Sequence, residues 1–349
     1  MRQVAGILLF ATLVCGVSAF ASETLREVAF DDAAFTASAP KIDGKLDDPC
    51  WKNAPVHARY YEYFKPNPKP GELRTECRFL YDSRGLYLGI TNYEAQPEKV
   101  RRNITDRDNP QLWTDDCAEI YIDCRGNAIG YTKFVVSARG VQGDMRRIDG
   151  AVTLNEWNGN GWNSAVSVDS DRWTIEAFFP WEDLGAPARP GDVWRFCHVR
   201  YAWSTGKFQG VTSSPGGNYA STGNFGFLSF LAPGEKSSPE RTRGILAKRV
   251  APPWCMELGG ILLYDEGKGI RTEPLSAMIG EKQRRVDSLL KATEGASGAL
   301  ASERARLAAD HQKTGKTDGF SLSRYQELEA LASNLEKLQW KLELERNFN

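Results

Sequence analysis

Leu112-Trp113-Thr114-Asp115-Asp116-Cys117-Ala118-Glu119-Ile120-Tyr121-Ile122-Asp123 is the stretch that decides the fold. From Cys117 onward it alternates, with Ala118, Ile120 and Ile122 on one side of an extended chain and Glu119 and Tyr121 on the other. A period of two marks a strand with one buried face. Asp116 shares the side of Ala118, where an unpaired carboxylate is costly, so it is expected to accept backbone hydrogen bonds in a turn. Trp113 stands in the polar segment Asp106–Asp116, ahead of the strand rather than inside its apolar row.

The same pattern recurs outward from this strand. Thr75, Cys77, Phe79 and Tyr81 alternate with Glu76 and Arg78. The turn Asp82-Ser83-Arg84-Gly85 follows, and then Leu86, Leu88 and Ile90 share one face, which predicts a hairpin. Trp173, Ile175, Ala177 and Phe179 make another stripe, ended by Pro180. Val193–Trp203 and Phe225–Phe230 complete the set, with turns such as Asn158-Gly159-Asn160-Gly161 and Pro215-Gly216-Gly217-Asn218 between strands. Trp 10, Tyr 12 and Phe 16, with Gly 32 and Pro 17, suit aromatic strands broken by turns. The fold class expected is all-β, an antiparallel β-sandwich (jelly-roll or immunoglobulin-like), over residues 22–231.

The flanks differ from this centre. Arg2, the apolar run Val4–Val17 and Ala19-Phe20-Ala21 read as a signal peptide over residues 1–21. An uncleaved anchor is the other reading, while a lipoprotein reading through Cys15 suffers from the bulky Val14 before it. The protein is therefore expected to be exported, to a periplasm, the cell surface or the medium, with no membrane association after cleavage. Loss of Cys15 leaves Cys50, Cys77, Cys117, Cys124, Cys197 and Cys255, free or bridged, without a C-x-x-C pair. Residues 232–273 read as a linker or strap, with a short strand near Gly260–Tyr264. Residues 274–349 read as an α-helical hairpin or coiled coil. Ile279, Val286, Leu300 and Leu307 share a seven-residue spacing, as do Leu328, Leu335 and Leu342, on either side of a break at Lys313–Gly319. This unit is expected to pack on the sandwich, on a second copy or on another protein.

Several function classes are disfavoured. A net charge of -1 gives no field for nucleic acid. Three histidines, His57, His198 and His311, leave little for triads or His-rich metal sites. No carboxylate pair is recognisable as that of a glycosidase, and no Gly-rich phosphate motif occurs. Heme would need axial ligands, for which His198 and Met145 are the only reasonable choices, and a c-type attachment motif is missing.

Four stretches in order resemble carbohydrate-binding module family 9. They are Ile42-Asp43-Gly44-Lys45-Leu46-Asp47-Asp48 with Trp51 and Ala54; Leu112–Asp123; Trp173-Thr174-Ile175-Glu176-Ala177 with Pro180, Trp181, Leu184 and Trp194-Arg195-Phe196; and Asn224-Phe225-Gly226-Phe227-Leu228. The resemblance covers residues 35–231 but not the C-terminal helices. It implies non-catalytic binding of a glycan in a polysaccharide-utilisation setting, the sugar ring held between two aromatic side chains at one end of the sandwich. Trp113 matches the first of these and Tyr219 the second, where Trp is more familiar; Glu119 matches a polar residue facing the sugar hydroxyls. Tyr219 lies in a Gly/Ser/Asn loop with little apolar company, as exposure requires. Val135, Ser137 and Cys197 stand where some members carry Arg and Asn contacts. The resemblance also allows a structural calcium at the acidic turns Asp43–Asp48 or Asp106–Asp116, although neither has EF-hand spacing and ordinary turn chemistry is the simpler reading.

Flat rings suit the C–H face of a pyranose, and charged or amide groups suit its hydroxyl edge. Trp51, Trp173, Trp181 and Trp194 sit in apolar rows and are expected in the core. Arg139, Arg146, Arg147 and Arg200 are expected as solvated strand charges before sugar contacts. The alternative function is a structural or protein-interaction role that keeps the sandwich, loses the sugar and works through the helices, by a protein partner or self-association.

Overall fold

The computed structural model describes residues 25–65, 70–216, 221–314 and 322–348, so the expected leader over residues 1–21 lies outside the described residues. In chain order the strands are β1 (Arg26–Glu27), β2 (Phe30–Phe35), β3 (Val56–His57), β4 (Tyr61–Glu62), β5 (Thr75–Tyr81), β6 (Gly85–Tyr93), β7 (Cys117–Asp123), β8 (Tyr131–Ser137) and β9 (Gln142–Arg147). There follow β10 (Thr153–Leu154), β11 (Asn163–Val168), β12 (Arg172–Pro180), β13 (Val193–Ala202), β14 (Gln209–Thr212), β15 (Gly226–Phe230), β16 (Trp254–Leu258), β17 (Ile261–Asp265) and β18 (Arg271–Pro274). The helices are α1 (Trp181–Leu184), α2 (Pro239–Arg249), α3 (Leu275–Ala292), α4 (Gly298–Thr314) and α5 (Leu322–Phe348).

The β5–β6 hairpin forms where the alternation places it. Tyr81 pairs with Leu86, and Asp82 Oδ1 accepts the Arg84 backbone N–H at 2.7 Å, holding the turn. This hairpin belongs to a sheet ordered β10-β9-β8-β7-β13-β15-β2-β5-β6-β12-β11, with β14, β4 and β3 attached at its side. Phe134 of β8 meets Phe179 of β12 with ring centroids 4.4 Å apart, and Phe79 of β5 meets Phe196 of β13 at 4.6 Å. Those strands are distant along the sheet, so it curls until its two halves enclose one apolar core. The expected layers are thus parts of one curled sheet, and two pairings, β15–β2 and β2–β5, are parallel. Local alternation specifies faces; the insertion of an early strand between later ones depends on long-range pairing.

The Asp43-Gly44 turn and Trp51 are held by one carboxylate. Glu176, fully buried on β12, accepts the backbone N–H groups of Asp43 at 2.9 Å, Gly44 at 2.8 Å and Leu46 at 3.2 Å, and the Trp51 indole N–H at 2.8 Å. Gly44 has φ +87, and a Cβ there would lie 2.7 Å from the carbonyl carbon of Val166. Only glycine permits both that backbone and that approach. Trp51, Trp173, Trp181 and Trp194 are buried, as their rows predict.

Arg200 corrects the reading of a solvated strand charge. Its position on β13 points into the fold, where its guanidinium donates to the carbonyls of Arg74 (3.0 Å) and Tyr93 (2.9 Å), to Thr75 Oγ1 (3.2 Å) and to Glu94 (3.3 Å). Five donors in a rigid fork let arginine close a strand-end cluster of carbonyls. Burial lowers its pKa to about 10 despite Glu94 and Asp116 nearby.

Residues 232–273, read as a linker, carry α2 and the strands β16, β17 and most of β18. Ser238 caps α2 by accepting the Arg241 N–H at 3.2 Å, and Arg241 reaches back to Asp32 (2.6 Å) and Ser229 (2.7 Å) on the curled sheet. β1, β16, β17 and β18 form a second sheet. Its Trp254, Met256 and Leu263 pack toward Val28, in the link from β1 to β2, and toward Phe30, Val193 and Phe227 of the curled sheet, while Cys255, Leu262 and Tyr264 pack toward the C-terminal helices. The strands alternate, but each is too short, and too closely flanked by Pro, Gly and Lys, for the pattern to stand out in sequence.

The two-helix hairpin is corrected to three helices. Thr293, at the point where the heptad row weakens, turns its hydroxyl back to the Leu289 carbonyl at 2.9 Å and closes α3. Lys282–Glu329 and Arg285–Glu336 pair α3 with α5 in the same direction, while His311–Asp287 and Lys341–Glu303 pair α4 oppositely with each. The order is up-down-up, closed over Ile279, Val286, Leu307, Leu328, Leu331, Leu335 and Leu338.

Candidate functional site

Trp113 sits in a 3₁₀ turn, Leu112–Thr114, immediately before β7. Leu112 anchors the turn in the core and Trp113 remains 44% exposed. Asp115 accepts the Ile104 N–H at 2.7 Å. Asp116 accepts the Arg101 N–H at 2.8 Å and the Trp203 N–H at 3.3 Å, so it performs the turn role read from sequence. Burial raises the Asp116 pKa to about 6, against the opposing pull of those N–H groups and of Arg200.

The Asp116 bond brings the residue after β13 beside Trp113. Trp203 and Trp113 have ring centroids 6.3 Å apart at 45°, and the Trp203 indole N–H donates to the Trp113 carbonyl at 3.0 Å. The Arg101 guanidinium lies 4.5 Å over the Trp203 ring and donates to the Thr114 carbonyl at 3.0 Å. Phe208, 39% exposed, follows at 5.2 Å from Trp203 and in turn contacts Tyr63 at 5.8 Å and Tyr201 at 5.7 Å. The result is an aromatic shelf at one end of the curled sheet, bordered by arginine. Sequence reading missed Trp203 and Phe208. Their signal was position: two aromatics flank the turn Ser204-Thr205-Gly206-Lys207, where a core side chain has no reason to be.

Glu119 lies beneath this shelf. It faces away from the core of β7, is 5% exposed, and accepts from Lys133 Nζ at 2.6 Å, from Tyr121 and from Tyr201 at 3.2 Å. Tyr201 and Tyr63 share a hydrogen bond of 3.0 Å, which links Glu119 to the rings under Phe208. Trp113 and Glu119 therefore belong to one connected cluster. Tyr219, the other expected contact, lies outside the described residues. Val135 is 6% exposed, and Ser137 and Cys197 are fully buried. Ser137 Oγ accepts the Val141 N–H at 3.1 Å, while Cys197 meets Thr212 Oγ1 at 3.3 Å and burial pushes its thiol pKa up to about 12.

The acidic turns do not fit calcium. Asp48 accepts the Lys41 N–H at 2.8 Å, Asp43 pairs with Lys41 at 3.0 Å, and Asp108 accepts the Asp144 N–H at 2.9 Å. Among the described residues no three of Asp, Glu, His or Cys converge as metal ligands. His198, a candidate for heme, is fully buried, with its Nδ1 at 2.7 Å from the Tyr60 hydroxyl.

Among solved structures, the chain is similar to a family 9 carbohydrate-binding module from Caldicellulosiruptor kristjanssonii in complex with glucose, at 16% identity, 60% of this chain, 100% of that chain and TM-score 0.44. It is also similar to such a module from the same organism in complex with cellotriose, at 16% identity, 64% of this chain, 97% of that chain and TM-score 0.42. No curated protein matches the chain. The family profile described as carbohydrate family 9 binding domain-like matches residues 42–228, from the Asp43-Gly44 turn through Trp113 and Glu176 to the closing strand β15. That match spans more than half of the chain, and the protein belongs to the carbohydrate family 9 binding domain-like family.

Proposed function

We propose that this protein is an exported, non-catalytic carbohydrate-binding module whose sugar rests on the Trp113–Trp203–Phe208 shelf, in a polysaccharide-utilisation setting. The observation that carries the reading is the exposure of Trp113, in a chain of the carbohydrate family 9 binding domain-like family, beside two further rings that the sequence did not announce. The rings supply a face for pyranose C–H groups, and Arg101 supplies a charged edge beside it. Glu119 positions the shelf through Tyr201 and Tyr63, since its own oxygens are already engaged by Lys133, Tyr121 and Tyr201. Tyr219 is a second contact proposed from sequence alone. A few rings and charge-assisted bonds give Kd on the order of micromolar to millimolar, roughly -8 to -4 kcal/mol. Affinity electrophoresis of residues 22–349 against plant, algal, fungal and bacterial glycans tests the reading. Retardation that vanishes in Trp113→Ala supports it, and no retardation by any glycan refutes it.

The second reading, a protein-interaction role through the helices, is favoured by Trp340, 63% exposed on α5. An unchanged glycan profile together with concentration-dependent association that Trp340→Ala abolishes would support an added role for that face.

A further inference from the structure

Beyond the C-terminal end of β7, away from Trp113, lies a cavity of about 120 Å³. Seven residues of strand separate the two places, about 20 Å at ordinary strand rise. The cavity is lined by Arg125, Arg146, Arg147, Asn127, Thr132 and Asp123 among others. Asp123, its single acidic lining residue, is 2% exposed and spends both oxygens inward: it accepts the N–H groups of Arg125 (3.0 Å), Gly126 (2.9 Å) and Ala128 (2.8 Å). Arg125, Arg146 and Arg147 therefore line a small volume with no uncommitted carboxylate among its lining. Arg146 is fixed in place. Its guanidinium lies 4.1 Å over the Trp157 ring and donates to the Asp183 carbonyl and to Thr132 Oγ1 at 3.3 Å. Arg147 donates to the Gly150 carbonyl. The Arg125 guanidinium makes no hydrogen bond or ion pair among the described residues.

Guanidinium forks match planar or tetrahedral oxyanions and bind them in preference to neutral hydroxyls. The volume is that of about four waters, enough for one carboxylate or sulfate group and the ring atoms next to it, not for a whole saccharide. The half-exposed Ile148, with Tyr131 beside it in the lining, gives the mouth an apolar rim for a ring face. We infer that this cavity is a second subsite, one that seats the carboxylate or sulfate ester of an anionic saccharide. The saccharide part of the inference rests on the carbohydrate-binding reading of the shelf; the oxyanion part does not.

The test is calorimetric titration of residues 22–349 with inorganic sulfate, with a galacturonic acid trimer and with neutral cellotriose. The variants are Arg125→Ser, Arg125→Glu and Trp113→Ala, each with its fold checked by circular dichroism. The inference expects the trimer to bind, its affinity to fall about tenfold in Arg125→Ser and further in Arg125→Glu, and to fall steeply as salt is raised. Trp113→Ala should leave sulfate binding unchanged. Sulfate bound but trimer unbound overturns the saccharide as occupant, and neither bound overturns the cavity as an oxyanion site. Cellotriose lost in Trp113→Ala while trimer binding ignores both Arg125 variants overturns the inference and leaves the shelf standing. Trimer binding that depends on Arg125 but is unchanged in Trp113→Ala upholds the cavity as a site that works without the shelf.

Discussion

Replacing Trp113 by alanine should weaken glycan binding about five- to thirtyfold without unfolding the protein. The magnitude follows from its exposure. A large aromatic side chain offers roughly 150–250 Å², and 44% of Trp113 is open, so about 100 Å² is available to a ligand. A pyranose face covering half of that removes about 50 Å² of indole from water and a similar area of sugar. At about 25 cal/mol per Å² this is worth at most 2–3 kcal/mol, and imperfect coverage brings it to about 1–2 kcal/mol. The fold should survive, because Leu112 and not Trp113 anchors the turn in the core, and Asp116 holds Trp203 through a backbone N–H that the substitution leaves alone. Isothermal titration against the best glycan of a screen measures the change, with circular dichroism as the control. A Kd within twofold of the parent would refute the shelf, since no other ring in it has as much open face and a long fixed backbone contact beside it.

Other perturbations follow from the same contacts. Glu176→Gln turns one acceptor oxygen into a donor against backbone N–H groups, so chemical denaturation should show a loss on the order of 3 kcal/mol; a loss under 1 kcal/mol would show that the Asp43-Gly44 turn stands without it. Asp116 has its pKa raised from 3.8 to about 6 by burial, so the native state holds the extra proton between those values. Its contribution favours the fold below about pH 4 and is lost as pH rises through about 6. The stability of the parent relative to Asp116→Asn should therefore fall by on the order of 2–3 kcal/mol from pH 3.5 to 7, and a flat difference would contradict the burial argument. Cutting the chain after Pro274 should cause aggregation by size exclusion, because it uncovers Cys255, Leu262 and Tyr264; a monodisperse product would restore the linker reading.

What the sequence revealed and what it hid divide along the range of the interaction. The rows Ala118-Ile120-Ile122, Phe79-Tyr81 and Trp173-Phe179 were legible because side-chain alternation is local, and the core holds them as expected. Strand order was not, because β2 joins β15 and β5 by pairings about 200 and 45 residues apart in sequence, about which alternation says nothing. Arg200 was misread for a related reason: a charge in an apolar row looks solvated until the four acceptors around its guanidinium are assembled from the adjoining ends of β5 and β6. At the candidate site, Trp113 stood out as an aromatic in polar surroundings. Trp203 and Phe208 did not, because one directly follows a strand, the other directly precedes one, and only the fold carries them beside Trp113.

Three of the buried carboxylates in the family-matched region, Asp116, Glu119 and Glu176, explain how a flat, exposed set of rings stays in place. Exposed aromatics gain nothing from water, so some other interaction must fix them before a ligand arrives. Asp116 fixes the backbone on both sides of the shelf, at Arg101 and at Trp203. Glu119 holds Tyr201 from below, and Tyr201 holds Tyr63, on which Phe208 packs. Glu176 secures the opposite half of the sheet, where it ties the Asp43-Gly44 turn and Trp51 to β12. Each carboxylate meets N–H or O–H donors, which reduce the cost of burying it, although at Asp116 burial still wins and raises the pKa to about 6. On the proposed reading the rings would lose little freedom on binding, and affinity would be limited by contact area rather than by ordering. It follows that Glu119→Gln should act on the shelf indirectly: it should lower affinity by loosening Tyr201 and Tyr63 while leaving the choice among neutral sugars unchanged. A changed preference among them, measured on the same glycan panel, would instead show that Glu119 touches the sugar itself.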